Sequence, residues 1–289
     1  MKIDEIRNGN MNKVYLLSDK ENKYIIRINE FDNNFECKVL ELLKKYDYNC
    51  PKVITNFQLG NKYVMLYKYI EGNNPSKIDE NFLDNLAILL KKLHSIKCDF
   101  KESEYLDKKE DLKKLHDYYL KAIESKYLVK EKELITLIYN KVLKLDLNNF
   151  DKCLVHSDIK KENMLQNDKE LYLIDFGNCY IGTRIIDIIR VIMWFFIKND
   201  NYDYEMIQYF VNAYFTQNAI TEEEENYIDD LLVYCILYNL LKDIALYSDG
   251  ILTAEYIEKN SLKWLDALKE KEKIKEIGEV IKNVKRFTK

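Results

Sequence analysis

The chain has 289 residues, 47% of them hydrophobic and 33% charged, which is enough to build one or two soluble domains with a sizeable core. A net charge of −4, with Lys and acidic residues interleaved, excludes the basic stripe expected of a nucleic-acid binder. Six scattered cysteines, with no CxxC and no Cys/His zinc spacing, read as free thiols in a reducing compartment.

Met1 leads directly into a charged, strand-like segment rather than a signal peptide, so a cytoplasmic protein is expected. Residues 12–17 (NKVYLL) and 24–28 (YIIRI) are β-branched and aromatic runs around a polar turn, SDKEN, which predicts a hairpin. Residues 34–46 switch to helical spacing, with Phe35, Val39, Leu42 and Leu43 on one face, until Pro51 ends the helix. Two more strands, 53–59 and 62–69, flank Gly60–Asn61. The order is strand, strand, helix, strand, strand.

The texture changes near residue 72. Residues 82–96 are helical, and 111–145 form a long Lys/Glu/Leu helical region. Residues 151–173 are an island of short strands and turns. Everything from residue 185 onward reads as helix, including 203–215, 222–246, 253–268 and a polar last helix. The apolar stretch 185–197 is broken by Asp187 and Arg190 and is shorter than the ~18–20 residues that cross a bilayer, so no membrane span is expected. The chain therefore divides into 1–72 and 73–289, an α+β architecture.

The island carries the chemistry. Residues 153–176 read CLVHSDIKKENMLQNDKELYLIDF, two apolar strands around a polar loop with Asp158, Asn163 and Asp175 at the strand ends. Phosphoryl transfer needs one carboxylate to orient the attacking hydroxyl and accept its proton, and two further oxygens to hold a metal ion against the phosphates. Asp158 fits the base, and Asn163 and Asp175 fit the ligands of Mg²⁺, a hard cation that prefers oxygen donors. The pattern H-x-D-x(4)-N, an apolar strand and then D-F-G parallels the kinase signatures. His156 reads as scaffold that ties the loop to the strand before Asp175. His94 and His116 read as helix-surface or packing residues.

These motifs resemble the aminoglycoside phosphotransferase and choline kinase superfamily, small-molecule relatives of the protein kinases. The resemblance runs from about Gly9 to Phe196, includes Leu93-His94-Ser95 at a helix end, and is strongest over 153–196. It implies a bilobal protein-kinase-like fold, with a small antiparallel-sheet lobe (1–72) that binds nucleotide and a larger helical lobe (73–289) that carries catalysis and acceptor. It implies ATP, with GTP as an alternative, and Mg²⁺. Arg27 stands where the family has a phosphate-binding Lys, with Glu36 as its partner. Gly9 and Asn10 would lie in the loop over the phosphates, and Lys68, Tyr69 and Ile70 in the connection that meets adenine. Arg184 and Asp187 match an Arg–Asp pair that supports the catalytic loop.

Only ten residues separate Phe176 from Asp187 and no A-P-E follows, so little room remains for the activation segment of a protein kinase. A protein Ser/Thr kinase and a non-catalytic structural relative of the spore-coat type are the alternatives. The acceptor is expected to be a small-molecule alcohol. Glu222–Glu225, Asp229, Asp230, Asp243 and Asp249 form an acidic C-terminal region that favours a cationic aminoglycoside-like or choline-like molecule. Trp194, Phe195 and Tyr238 offer aromatic faces for a quaternary ammonium. Glu222–Glu225, after Thr221, also read as a solvated acidic helix start. Lys160 and Lys161 read as solvated, or as a hint of an anionic acceptor. A monomer or homodimer is expected.

Overall fold

The computed structural model describes residues 2–6, 13–198, 201–216 and 219–284. Gly9 and Asn10, with the rest of the expected phosphate loop, lie outside the described residues. The N-terminal part is a five-stranded antiparallel sheet in the order β1-β2-β3-β5-β4. Its strands are β1 (Lys2–Ile6), β2 (Lys13–Ser18), β3 (Lys23–Asn29), β4 (Val53–Leu59) and β5 (Lys62–Lys68). Between β3 and β4 lies α1 (Asn34–Lys45), which buries Phe35, Val39, Leu40 and Leu43. In the register of the sheet Arg27 of β3 sits between Val14 of β2 and Met65 of β5. It is therefore on a central strand, flanked on both sides, and largely buried.

The connection to the helical part crosses the catalytic island. Asn73 pairs with Gln166 through reciprocal backbone hydrogen bonds of 3.0 and 2.8 Å. Gly72 comes just before it, where a Cβ would crowd the Gln166 carbonyl oxygen at 3.0 Å. Asn74 then donates through Nδ2 to the Met164 carbonyl at 2.8 Å and reaches the carbonyls of Lys161 and Glu162.

The helical part follows as α2 (Glu80–Ser95), α3 (Leu112–Ala122) and α4 (Lys132–Val142). The long helical region expected over 111–145 consists of two helices. Ser125 accepts from Leu128 and Val129, closing a turn that breaks the run before a 3₁₀ turn at Val129–Glu131. The island folds as β6 (Cys153–Val155), β7 (Met164–Gln166), β8 (Leu171–Leu173) and β9 (Tyr180–Gly182), paired β6 with β9 and β7 with β8. After it come α5 (Ile185–Val191), a π-helical turn (Ile192–Phe196), and the short strands β10 (Ile197–Lys198) and β11 (Asn201–Tyr202). The all-helical expectation after 185 misses these two strands, where Ile197 pairs with Tyr202.

The last helices are α6 (Tyr204–Phe215), α7 (Glu222–Ser248), α8 (Ala254–Tyr256), α9 (Leu262–Lys269) and α10 (Lys271–Lys282). A π-helical turn at Ile257–Ser261 joins α8 to α9. Among the described residues α7 is the one helix long and apolar enough to cross a bilayer, yet most of that stretch is buried inside the protein. It is the spine of the helical lobe and packs on α3, α9 and α10. One continuous apolar core runs from α1 and β5 through α2 and the island to α7 and α10. The α10 helix, polar by composition, still buries Ile274, Ile277 and Ile281 on one face. The whole is an α+β bilobal, kinase-like fold.

Candidate active site

The catalytic loop begins where β6 ends. A sharp bend puts Ser157 at φ 63° and Asp175, after β8, at φ 65°. Non-glycine residues reach this left-handed region at a cost that surrounding contacts must meet. For Ser157 the contacts come from Asp187, which is fully buried at the start of α5. Its Oδ2 accepts from the His156 amide at 2.8 Å and its Oδ1 from the Ser157 amide at 2.7 Å. Ser157 Oγ donates to the Asn178 carbonyl at 2.8 Å. His94 Nε2, at the end of α2, donates to Asp187 Oδ2 at 3.0 Å, which leaves Nδ1 to accept from the Tyr214 hydroxyl at 2.7 Å. Burial alone would raise the Asp187 carboxyl, but the bonds from His94 and from the His156 amide outweigh it and hold the pKa below the ordinary value.

His156 is buried; its Nε2 donates to the Ile174 carbonyl at 3.0 Å and its ring meets Phe176 edge-on at 4.7 Å. These contacts tie the start of the loop to the Asp175 turn. Asn163 is buried and donates through Nδ2 to both the carbonyl (2.9 Å) and the carboxylate Oδ2 (2.8 Å) of Asp158. That use of the amide nitrogen leaves Asn163 Oδ1 as the free donor atom toward a metal. Asp158 also receives Lys160 Nζ at 2.8 Å. Burial raises the Asp158 carboxyl, but Lys160 and Lys242 overcome it and push the pKa down to about 2. Asp158 is ionised throughout the neutral range.

On the sheet side, Arg27 donates through Nη2 to Glu36 and through Nη1 to Asp175 Oδ1 at 3.2 Å. One guanidinium thus bridges β3, α1 and the Asp175 turn, a two-carboxylate contact that its fork geometry allows. Burial opposes its charge, yet Glu36 and Asp175 hold the Arg27 pKa above its ordinary value. Gly177 lies against this corner, where a Cβ would make ordinary contacts of 3.4 Å with Asp175 Oδ1 and 3.6 Å with Glu36 Oε2.

In the inter-lobe connection, the amides of Lys68 and Tyr69 donate to the carbonyls of Lys52 (3.0 Å) and Lys23 (3.2 Å). Both are thereby used inside the protein. Ile70 is the next residue along.

Among the described residues no group of three His, Cys, Asp or Glu side chains forms a closed metal cage. Asn163 and Asp175 instead offer two hard oxygen donors on segments joined by the Ile174 amide on the Asn163 carbonyl at 2.9 Å. That set fits Mg²⁺, which keeps several waters and is completed by substrate phosphates.

Other residues singled out in the sequence fall outside this cluster. Arg184 binds Glu224 in two contacts of 2.7 Å and the Ala219 carbonyl, fixing the start of α7. Glu224, expected to be solvated, is buried by this pair and by a capping box with Thr221. Asp229, Asp230 and Asp249 pair with Lys282, Lys141 and Lys121. Tyr238 is buried, edge-on to Tyr118. Trp194 is half-buried against Trp264, and Phe195 is buried against Phe82. Asp243 is buried and accepts from Ser261 Oγ at 2.8 Å.

The sequence reading did not single out Asn74, Lys242, Tyr256, Ser261 or Lys263. The only signal for His94 in its supporting role was the LHS motif. Arg190 pairs in the core with Glu110 at 2.8 Å and donates to the Cys235 carbonyl; its place in an apolar stretch signalled that it needed a partner.

Residues 2–219 match the phosphotransferase enzyme family, and the chain belongs to it. No curated protein matches the sequence. Among solved structures, the spectinomycin phosphotransferase APH(9)-Ia in complex with ADP and spectinomycin is 17% identical. It aligns over 96% of this chain and 92% of its own, with a TM-score of 0.65. Choline kinase from Cryptosporidium parvum Iowa II is 17% identical over 96% of this chain and 90% of its own, with a TM-score of 0.68. An amicoumacin kinase in complex with AMP-PNP, Ca²⁺ and Ami is 14% identical over 96% and 88%, with a TM-score of 0.65. The chain is a phosphotransferase with their fold.

Proposed function

We propose that the protein transfers the γ-phosphoryl group of ATP, with Mg²⁺, to a hydroxyl of a small molecule. The Asp158–Asn163 pair on one loop, joined to the Asp175 turn by the Ile174 amide on the Asn163 carbonyl at 2.9 Å, with the Arg27–Glu36 pair reaching Asp175, carries this reading. The neighbours crystallised with ADP, and with AMP-PNP and Ca²⁺, support a nucleotide and a divalent cation. Those named for spectinomycin and choline support a small alcohol acceptor.

In this reading Asp158 orients the acceptor hydroxyl and takes its proton. A carboxylate with a pKa of about 2 is a weak base, so the proton moves late, as the bond to phosphorus forms. Asn163 Oδ1 and Asp175 would hold Mg²⁺, which neutralises phosphate charge. Arg27 binds the α/β-phosphates, and Glu36 keeps it in place. Residues 68–70 face adenine, with Ile70 offering the amide that the sheet does not use. Residues 1–72 form the nucleotide lobe and 73–289 the catalytic and acceptor lobe. His156, Asp187 and Arg184 shape the loop and its support.

The test is ADP release from the full chain with ATP or GTP and Mg²⁺, over aminoglycosides, choline, amino alcohols, hydroxy acids and sugars. Acceptor-dependent ADP release supports the reading; no nucleotide binding in Mg²⁺ defeats it.

A further inference from the structure

Asn163 and Asp175, the two residues that would hold Mg²⁺, flank the open end of a single hairpin. Asn163 immediately precedes β7, and Asp175 follows β8 by two residues. Met164 pairs with Leu173, Leu165 with Tyr172 and Gln166 with Leu171. The Ile174 amide closes the open end on the Asn163 carbonyl at 2.9 Å. The hairpin is a two-stranded sheet with three residues per strand. Such a hairpin is marginal alone, because each strand leaves an outer row of N–H and C=O groups outside the ladder. The spacing of the two metal residues therefore needs support from elsewhere in the chain.

Both outer edges receive it. On the β8 edge, Asn49 lies in the segment between α1 and β4. Its carbonyl accepts from the Leu173 amide at 3.1 Å, and its Nδ2 donates to the Leu171 carbonyl at 3.2 Å. On the β7 edge, Asn73 exchanges two backbone bonds with Gln166. Asn74 Nδ2 then donates to the Met164 carbonyl at 2.8 Å and meets the carbonyls of Lys161 and Glu162 at 3.2 and 3.3 Å. Lys161 and Glu162 belong to the 3₁₀ turn that ends at Asn163. Three carbonyls thus converge on one amide group, which has two hydrogens to offer them. Among the described residues, neither the Asn49 nor the Asn74 side chain hydrogen-bonds to that of Asn163 or Asp175.

We propose that Asn49 and Asn74 are positioning residues for the metal site. By holding the outer edges of β7 and β8 from the α1–β4 segment and from the inter-lobe connection, they fix the separation of Asn163 from Asp175. Metal affinity then depends on two side chains that do not touch the metal. This rests on the phosphotransfer reading above, in which Asn163 and Asp175 hold Mg²⁺. Asp158 orients the Asn163 amide, and Arg27 orients the Asp175 carboxylate. The hairpin is the stretch of chain that links these two oriented ends. A cation that demands near-octahedral geometry responds to small displacements of its ligands.

The test uses Mn²⁺, a hard divalent ion with the same taste for oxygen ligands. Mn²⁺ titrations of the full chain with ADP are read by water-proton relaxation, and ADP binding in EDTA is read by calorimetry. In Asn74→Ala and in Asn49→Ala, Mn²⁺ affinity is expected to fall about tenfold, the lower end of what outer residues around metal ligands typically contribute. ADP affinity in EDTA should stay within about twofold of the parent, since no metal residue acts there. Asn74 is exposed, so Asn74→Ala decides the matter if Asn49→Ala does not fold. A merely structural role would lower the urea midpoint of Asn74→Ala and leave Mn²⁺ affinity unmoved. That result overturns the inference, as does an equal loss of ADP affinity in EDTA. A parent chain that holds no Mn²⁺ beside ADP takes the phosphotransfer reading down instead.

Discussion

On the side of the Asp158 loop that faces the sheet, the charges are matched by partners inside the protein. Arg27 spans Glu36 and Asp175, and Asp187 gathers two backbone amides and His94. Toward the C-terminal helices, Asp158 holds Lys160 and Asp243 accepts from Ser261, while Glu162 is exposed and forms no ion pair among the described residues. A preorganised set of charges suits a step whose phosphate and metal geometry is invariant. The loop is thus braced by buried charges on the sheet side and left partly exposed on the helical side.

Four perturbations would break or sharpen that contrast. Asp158→Asn preserves the shape of the loop but removes the proton acceptor; kcat should fall about a thousandfold while the ATP affinity measured by calorimetry stays within about threefold. A kcat within tenfold of the parent removes Asp158 from the chemistry. Asp187→Ala strands the amides of His156 and Ser157 and the ring of His94. A loss of about 3–5 kcal/mol in urea unfolding is expected, with catalysis lost as the loop relaxes. If stability is unchanged, the bend at Ser157 is held by something else. Arg27→Lys leaves one cation where a fork spanned two carboxylates, and KM for ATP should rise about tenfold at nearly constant acceptor KM. An unchanged ATP KM would sever Arg27 from the nucleotide.

The smallest effect concerns pH. The folded pKa of Asp158, about 2, lies below its ordinary 3.8, so its contribution to stability is complete above about pH 4 and is lost as pH falls toward 2. The shift corresponds to about 2 kcal/mol. Asp187, also held low, adds to the same acid limb. Urea midpoints between pH 6 and pH 2.5 should fall, and fall less in Asp158→Asn; equal slopes would show that Lys160 and Lys242 do not stabilise that carboxylate.

The contrast also explains what the sequence could reveal. Asp158 and Asn163 sit at a fixed spacing because one tight loop sets them, Asp175 follows after the short β7–β8 pair, and such short-range spacing survives in a linear chain. The Arg27–Glu36 pair was legible because strand and helix follow each other directly. The β10–β11 pair and the break between α3 and α4 were not, because neither carries a Pro or Gly to mark it. Asp243 and Ser261, which hydrogen-bond, come from separate elements, and only the packing of the C-terminal helices makes neighbours of them. Glu224 misled for the same reason: its partner, Arg184, lies forty residues away.

The most direct test of the central claim is phosphorus NMR of the full chain with ATP, Mg²⁺ and the panel of aminoglycosides, choline, amino alcohols, hydroxy acids and sugars. The account predicts loss of the γ-phosphorus signal with stoichiometric appearance of ADP and a new phosphomonoester. Bound ATP left intact with every acceptor, or split only to free phosphate, would contradict it.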